Sequence, residues 1–188
     1  MITFAEFSLN FKKIVINLFI FLCISFSSYV YATDYTISNG TTQTSRVTLT
    51  NNDTLTVDSG GEIDYTWPAV DADNRTFPAG TTTITNNGII EGNCCVIDIR
   101  SSTNPKIINN GTINGKTSSR TIYANNSVDA TIINNGDITI LEANDYEAID
   151  GDDSTGMTIT NNSGATITSQ GDDGIAIEGA ENVTITNA

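Results

Sequence analysis

From residue 36 onward, apolar and polar side chains alternate in runs only a few residues long, each broken by Asn, Gly, Asp or Ser. Alternation with period two is the mark of a strand with one buried face, and turn-forming residues keep each strand short. The clearest runs are Val47-Thr48-Leu49-Thr50-Asn51-Asn52-Asp53, Thr83-Ile84-Thr85-Asn86-Asn87-Gly88, Lys106-Ile107-Ile108-Asn109-Asn110-Gly111, Thr131-Ile132-Ile133-Asn134-Asn135-Gly136, Met157-Thr158-Ile159-Thr160-Asn161-Asn162-Ser163-Gly164 and Val183-Thr184-Ile185-Thr186-Asn187. They share one pattern. Their first asparagines are separated by a step of 35 and then by steps of 23, 25, 27 and 26.

Within each run Leu49, Ile84, Ile107, Ile132, Ile159 and Ile185 share a face with the first Asn. A second short strand follows the corner, with Leu55 and Val57, Ile90, Ile113, Ile138 and Ile140, and Ile167. A third apolar group supplies Ile97 and Ile99, Ile122, Ile149, and Ile175 and Ile177. Three short strands per period, with no helical stripe, predict an all-β fold: a single-stranded parallel β-helix, or β-solenoid, with coils of about 25 residues. One coil cannot bury its apolar side alone, so coils must stack about 4.8 Å apart. Stacking aligns Asn51, Asn86, Asn109, Asn134, Asn161 and Asn187 as a structural ladder, each side-chain amide donating to the next carbonyl. The second Asn and the Gly suit positive φ at that corner.

The step of 35 predicts an insertion from Asp64 to Val70, running on to Phe77-Pro78-Ala79-Gly80 and projecting from the stack as a loop. It holds the only Trp. Trp67 and Phe77 are either contact points for a ligand or a cover folded back over the solenoid edge.

The first 32 residues differ in character. Lys12 and Lys13 precede an apolar stretch from Ile14 to Phe26 and a small-residue exit at Val30-Tyr31-Ala32, which predicts a secretory signal cleaved before Thr33. The stretch is too short for a membrane span, which takes about 20 apolar residues. The whole chain carries a formal charge of −14, and losing Lys12, Lys13 and Glu6 makes the remainder more negative by one. Such acidity excludes nucleic acid as a partner, because phosphate binding depends on Lys and Arg. Cys94 and Cys95 are adjacent, closer than a disulfide favours. Placed in a strand they point to opposite faces, one buried and one exposed, the preferred reading; the alternatives are a strained redox pair or a metal site. The sequence has no His to complete a common zinc set.

The stretch Ile107-Ile108-Asn109-Asn110-Gly111-Thr112-Ile113-Asn114-Gly115, with its copies, resembles the passenger region of bacterial autotransporters over nearly all of residues 36 to 188. That resemblance implies a right-handed coil, export through the periplasm of a Gram-negative bacterium, and display at the cell surface or outside the cell as a stalk or adhesin. It also implies the export machinery, and a surface protein or glycan, as partners. No β-barrel pattern is present and the chain stops in mid-motif at Asn187-Ala188, so residues 33–188 are expected to be part of a longer passenger that does not itself enter a membrane.

A second, local similarity points elsewhere. Gly171-Asp172-Asp173-Gly174-Ile175-Ala176-Ile177 resembles a motif of polygalacturonases, β-helical glycosidases in which carboxylates flank the glycosidic bond. With Asn144-Asp145 and Ala148-Ile149-Asp150 upstream, which resemble that family's Asn-Thr-Asp motif, it would give Asp145, Asp172 and Asp173 catalytic roles, but the family's His-Gly and Arg-x-Lys motifs are absent. The preferred expectation is no enzyme. Asp150, Asp152, Asp153, Asp172 and Asp173 are also oxygen donors of the type calcium takes, yet their spacing fits a solvated turn better, and neither metal nor cofactor is expected.

Overall fold

A computed structural model describes residues 32–117, 120–141, 146–171 and 173–188. Ala32–Ala188 form one compact unit. The predicted export signal lies outside the described residues apart from Ala32.

Among the described residues, nineteen strands build three parallel sheets that the chain visits in rotation. The first sheet stacks β1 (Asp34–Ile37), β4 (Thr54–Val57), β7 (Ile84–Asn86), β10 (Lys106–Asn109), β13 (Thr131–Asn134), β16 (Thr158–Asn161) and β19 (Thr184–Asn187). In the second lie β2 (Thr42–Gln43), β5 (Glu62–Asp64), β8 (Ile89–Gly92), β11 (Thr112–Gly115), β14 (Asp137–Ile140) and β17 (Thr166–Ser169). The third holds β3 (Val47–Thr48), β6 (Val70–Asp71), β9 (Ile97–Asp98), β12 (Ile122–Tyr123), β15 (Ile149–Asp150) and β18 (Ile175–Ala176). One strand from each sheet makes a coil, and every strand pairs with its counterparts one coil away. The result is a β-solenoid, and the described residues contain no helix.

Register places like on like. Leu55, Ile84, Ile107, Ile132 and Ile159 form one inward column. Ile63, Ile90, Ile113 and Ile138 form a second, and Val70, Ile97, Ile122 and Ile149 a third. All are essentially inaccessible to solvent. Burying each aliphatic side chain is worth about 1.5–3 kcal/mol, so these columns are the main force holding coil to coil.

The step of 35 has a different origin from the predicted insertion. Val47-Thr48 belongs to the third sheet and pairs with Val70-Asp71, so the first Asn-Asn string turns a different corner from the later ones. Residues 64–80 contain β6 and complete an ordinary coil. Pro68, Ala69, Val70 and Ala72 are buried. Phe77 enters the core at 2% exposure, and its N–H donates to the Thr103 carbonyl of the next coil (2.9 Å). Trp67 alone behaves as expected of a protruding contact, at 59% exposure. A local string of Thr, Leu and Asn states that a strand ends in a turn. It does not state which of three sides the strand belongs to.

Candidate functional site

The ladder of first asparagines begins one motif later than expected. Asn51 is exposed at the corner after the third sheet, where its Oδ1 accepts from the Thr76 N–H (2.9 Å). In the first sheet its expected place is taken by Val57, paired with Asn86. From there the column is continuous: Nδ2 of Asn86, Asn109 and Asn134 each donates to Oδ1 of the next Asn at 2.8 Å, and Asn161 donates to Asn187 at 2.9 Å. The same Nδ2 groups reach the main-chain carbonyls of Thr112, Asp137 and Thr166 in the coil above. A buried amide is costly unless bonded, and here each of Asn86, Asn109 and Asn134 is fully buried with both ends satisfied.

A second ladder escaped the sequence reading. On the solvent side, Asn110 donates to Asn87 (2.8 Å), Asn135 to Asn110 (2.7 Å) and Asn162 to Asn135 (2.5 Å). These bonds run toward the preceding coil, opposite in sense to the buried column. Contrary to expectation, the corners at 86–88, 109–111 and 134–136 are made without positive φ, whereas Asn52 of the first string and Gly164 of the Asn-Asn-Ser-Gly string do adopt it, with φ of 76° and 85°. Further left-handed residues sit after the third sheet, at Asn74, Ser101, Asn126 and Asp153, with φ of 56°, 52°, 57° and 54°. What demands glycine at 88, 111 and 136 is space. A Cβ at Gly111 or Gly136 would lie 2.1 Å from the carbonyl oxygen of the glycine one coil below.

These ladders are scaffold. The outward row of the third sheet is different in kind. It presents one side chain per coil in register: Thr48, Asp71, Asp98, Tyr123, Asp150 and Ala176. Oδ1 of Asp71, Asp98 and Asp150 accepts the N–H two residues on, from Asp73, Arg100 and Asp152, at 3.3, 3.2 and 3.1 Å. Each carboxylate therefore closes its own turn and keeps a second oxygen for a cation. Arg46 places Nη1 3.2 Å from Asp71 Oδ2, while Nη2 donates to the Trp67 carbonyl at 2.7 Å. Arg100 clamps both oxygens of Asp98, with Nε at 2.9 Å and Nη2 at 2.7 Å. Arg120 Nε lies 2.6 Å from Asp150 Oδ2 and 3.4 Å from Glu147 Oε2, an ion pair without hydrogen-bond alignment. Arg100 and Arg120 also lie over the Tyr123 ring, 4.5 and 4.9 Å from its centre, and Arg120 is 5.8 Å from that of Tyr146.

Burial raises the Asp150 and Glu147 carboxyls above their ordinary values, against the pull of the Asp152 N–H and Arg120 on Asp150 and of Arg120 on Glu147. Burial and the nearby Asp98 do the same to Asp73. The Arg100 guanidinium is held charged first by its hydrogen bond to Asp98. Groups with raised values bind protons more readily in the fold than in the unfolded chain, so stability should increase as pH drops from neutral through those values toward about 4. Asp53 has the opposite sign. Its burial disfavours charge, but N–H groups of Thr50 and Thr33 (2.7 Å each) outweigh that and hold it below the usual range. Its contribution is present above the ordinary carboxylate value and is lost as pH falls through the lowered one. Thermal unfolding followed by circular dichroism should therefore give a midpoint that rises as pH is lowered from neutral toward the ordinary carboxylate range, with a decline at stronger acid. Asp150→Asn should flatten that rise, and an unchanged profile in that variant would assign the effect elsewhere.

Asp145 and Asp172 lie outside the described residues. Asp173 is exposed, and its main-chain carbonyl accepts from the Ala148 N–H at 3.4 Å. The described residues hold one close acidic trio, Glu62, Asp64 and Glu91, into which the Lys116 ammonium already projects, paired with Asp64 and Glu91. Arg46, Arg100, Arg120 and Tyr123 were not singled out from the sequence. The available signal was the residue between the third-strand isoleucines, as in Ile97-Asp98-Ile99-Arg100, which alternation places on the outer face. No protein-family model matches this chain, and no curated protein or solved structure shows significant similarity to it.

Proposed function

We propose that the chain is a secreted or surface-displayed β-solenoid passenger, a stalk or adhesin without a catalytic role, presented in the manner of an autotransporter passenger. The observation that carries this reading is the third-sheet row. Stacking repeats one outward position every 4.8 Å or so, and that position, with its flanks, gathers Asp71, Asp98, Tyr123 and Asp150 with Arg46, Arg100 and Arg120. Trp67 stands exposed at its edge. An aromatic ring beside ordered guanidinium groups, fixed on a rigid lateral face, suits recognition of a glycan or a surface protein. The carboxylates of the row are engaged by arginines and main-chain N–H groups, which fits recognition better than proton transfer.

Two measurements test it. In a Gram-negative host producing the full chain, the exported protein should begin at Thr33 by intact mass, and recovery of uncleaved cytoplasmic protein would reject export. On a glycan array, Trp67→Ala should weaken the strongest binding at least tenfold with an unchanged unfolding midpoint. Equal binding by that variant would remove the Trp67 edge from the contact, and release of reducing ends from polygalacturonate would overturn the non-enzymatic reading.

A further inference from the structure

Cys94 and Cys95 do not occupy a strand with their side chains on opposite faces. They lie in the corner between β8 and β9, with Sγ atoms 3.4 Å apart. Cys95 takes φ +45°, a left-handed conformation that costs an ordinary L residue roughly 1–2 kcal/mol. Gly, Asn or Asp would enter it more easily. Backbone strain of this kind clusters at functional positions. The turn brings both sulfurs to one side, Cys94 half-exposed and Cys95 buried at 5% exposure.

We propose that Cys94 and Cys95 are a redox-active vicinal dithiol that closes to a disulfide by exchange with an external disulfide such as oxidised glutathione. The Cys94 thiolate, which solvent reaches, attacks one sulfur of the incoming disulfide, and the other sulfur leaves as a thiolate. Cys95 Sγ then attacks Cys94 Sγ and expels the second thiolate. Two cysteine thiols are oxidised, one disulfide is reduced to two thiols, and the two protons pass from the cysteines to the released thiols. Neighbouring Cα atoms are about 3.8 Å apart, shorter than the usual disulfide span of about 4.4–6.8 Å. The closed form is therefore strained and easily reduced, the character of a reversible pair and not of a structural crosslink.

The test uses the full chain carrying Cys23→Ser, so that only this pair reports. The protein is equilibrated with glutathione at increasing oxidised-to-reduced ratios, quenched with iodoacetamide and weighed intact. Both alkylation sites should disappear together, with loss of two hydrogens, and return on adding dithiothreitol. The further variant Cys94→Ser, checked for folding by circular dichroism, should show no such two-hydrogen loss. Persistence of two alkylatable thiols at every ratio, two glutathione adducts on one chain, or a disulfide-linked dimer would each overturn the proposal.

Discussion

Gly111→Ala is expected to destabilise the solenoid by more than about 3 kcal/mol, above the usual range for an added methylene in a packed core. The new methyl carbon would begin 2.1 Å from the Gly88 carbonyl oxygen and 3.0 Å from the Asn87 carbonyl carbon. Both are main-chain atoms of the coil below, so no rotamer change relieves the contact. Moving the coils apart would stretch the bond from Thr112 N–H to the Gly88 carbonyl (2.9 Å) and the Asn86–Asn109 amide bond beside it. Gly164→Ala is the matched control. Gly164 has φ +85° with open space around it, so its cost should be only the backbone strain of roughly 1–2 kcal/mol. Urea unfolding of both variants decides the matter. A Gly111→Ala cost no larger than that of Gly164→Ala would mean that coil spacing tolerates a methyl at this corner.

Asn134→Ala should be nearly as damaging, on the order of 2–4 kcal/mol, because it strips partners from several buried polar groups at once. Asn134 Nδ2 donates to Asn161 Oδ1 and to the main-chain carbonyls of Thr166 and Gly136, at 2.8, 2.8 and 3.0 Å. Its Oδ1 accepts from Asn109 Nδ2 at 2.8 Å and from the Gly136 N–H at 3.3 Å. Alanine leaves the fully buried Asn109 amide without its acceptor and removes the partners of the half-buried groups around it. Asn135→Ala removes the neighbouring amide, which makes ladder bonds of the same length but is exposed, so water replaces what is lost and the change should be below about 0.5 kcal/mol. The comparison separates burial from mere bond count. Equal costs measured by thermal unfolding would show that the inner column has no special weight.

The repeat was legible because the physics that builds it is local and periodic. Isoleucine alternating with threonine specifies a strand, Asn-Asn-Gly ends it, and recurrence near 25 residues forces stacking; Ile84, Ile107, Ile132 and Ile159 could be placed without coordinates. Where the reading failed, the deciding contact was long-range. Leu49 and Asn51 carry the same local string as Ile84 and Asn86 but belong to another side of the coil, a fact written in the pairing of Val47 with Val70. Phe77 looked like a loop residue beside Pro78, yet the hydrogen bond to Thr103 draws it into the core. Gly111 looked like a conformational necessity and is a steric one, set by an atom 23 residues away in the chain. The Arg100, Tyr123 and Arg120 cluster assembles side chains from successive coils, and no single motif contains it.

The two asparagine columns have a further electrical meaning. A file of aligned amides is a line of dipoles, and a single file would accumulate opposite partial charges at its two extremities as coils were added. Here the buried file points toward the C-terminal coils and the solvent-side file points back, so their fields largely cancel at every level of the stack. Each added Asn-Asn pair brings both senses at once. Elongation by duplicating one coil therefore carries no growing electrostatic penalty, and the length of such a rod is left free to follow the reach its task requires.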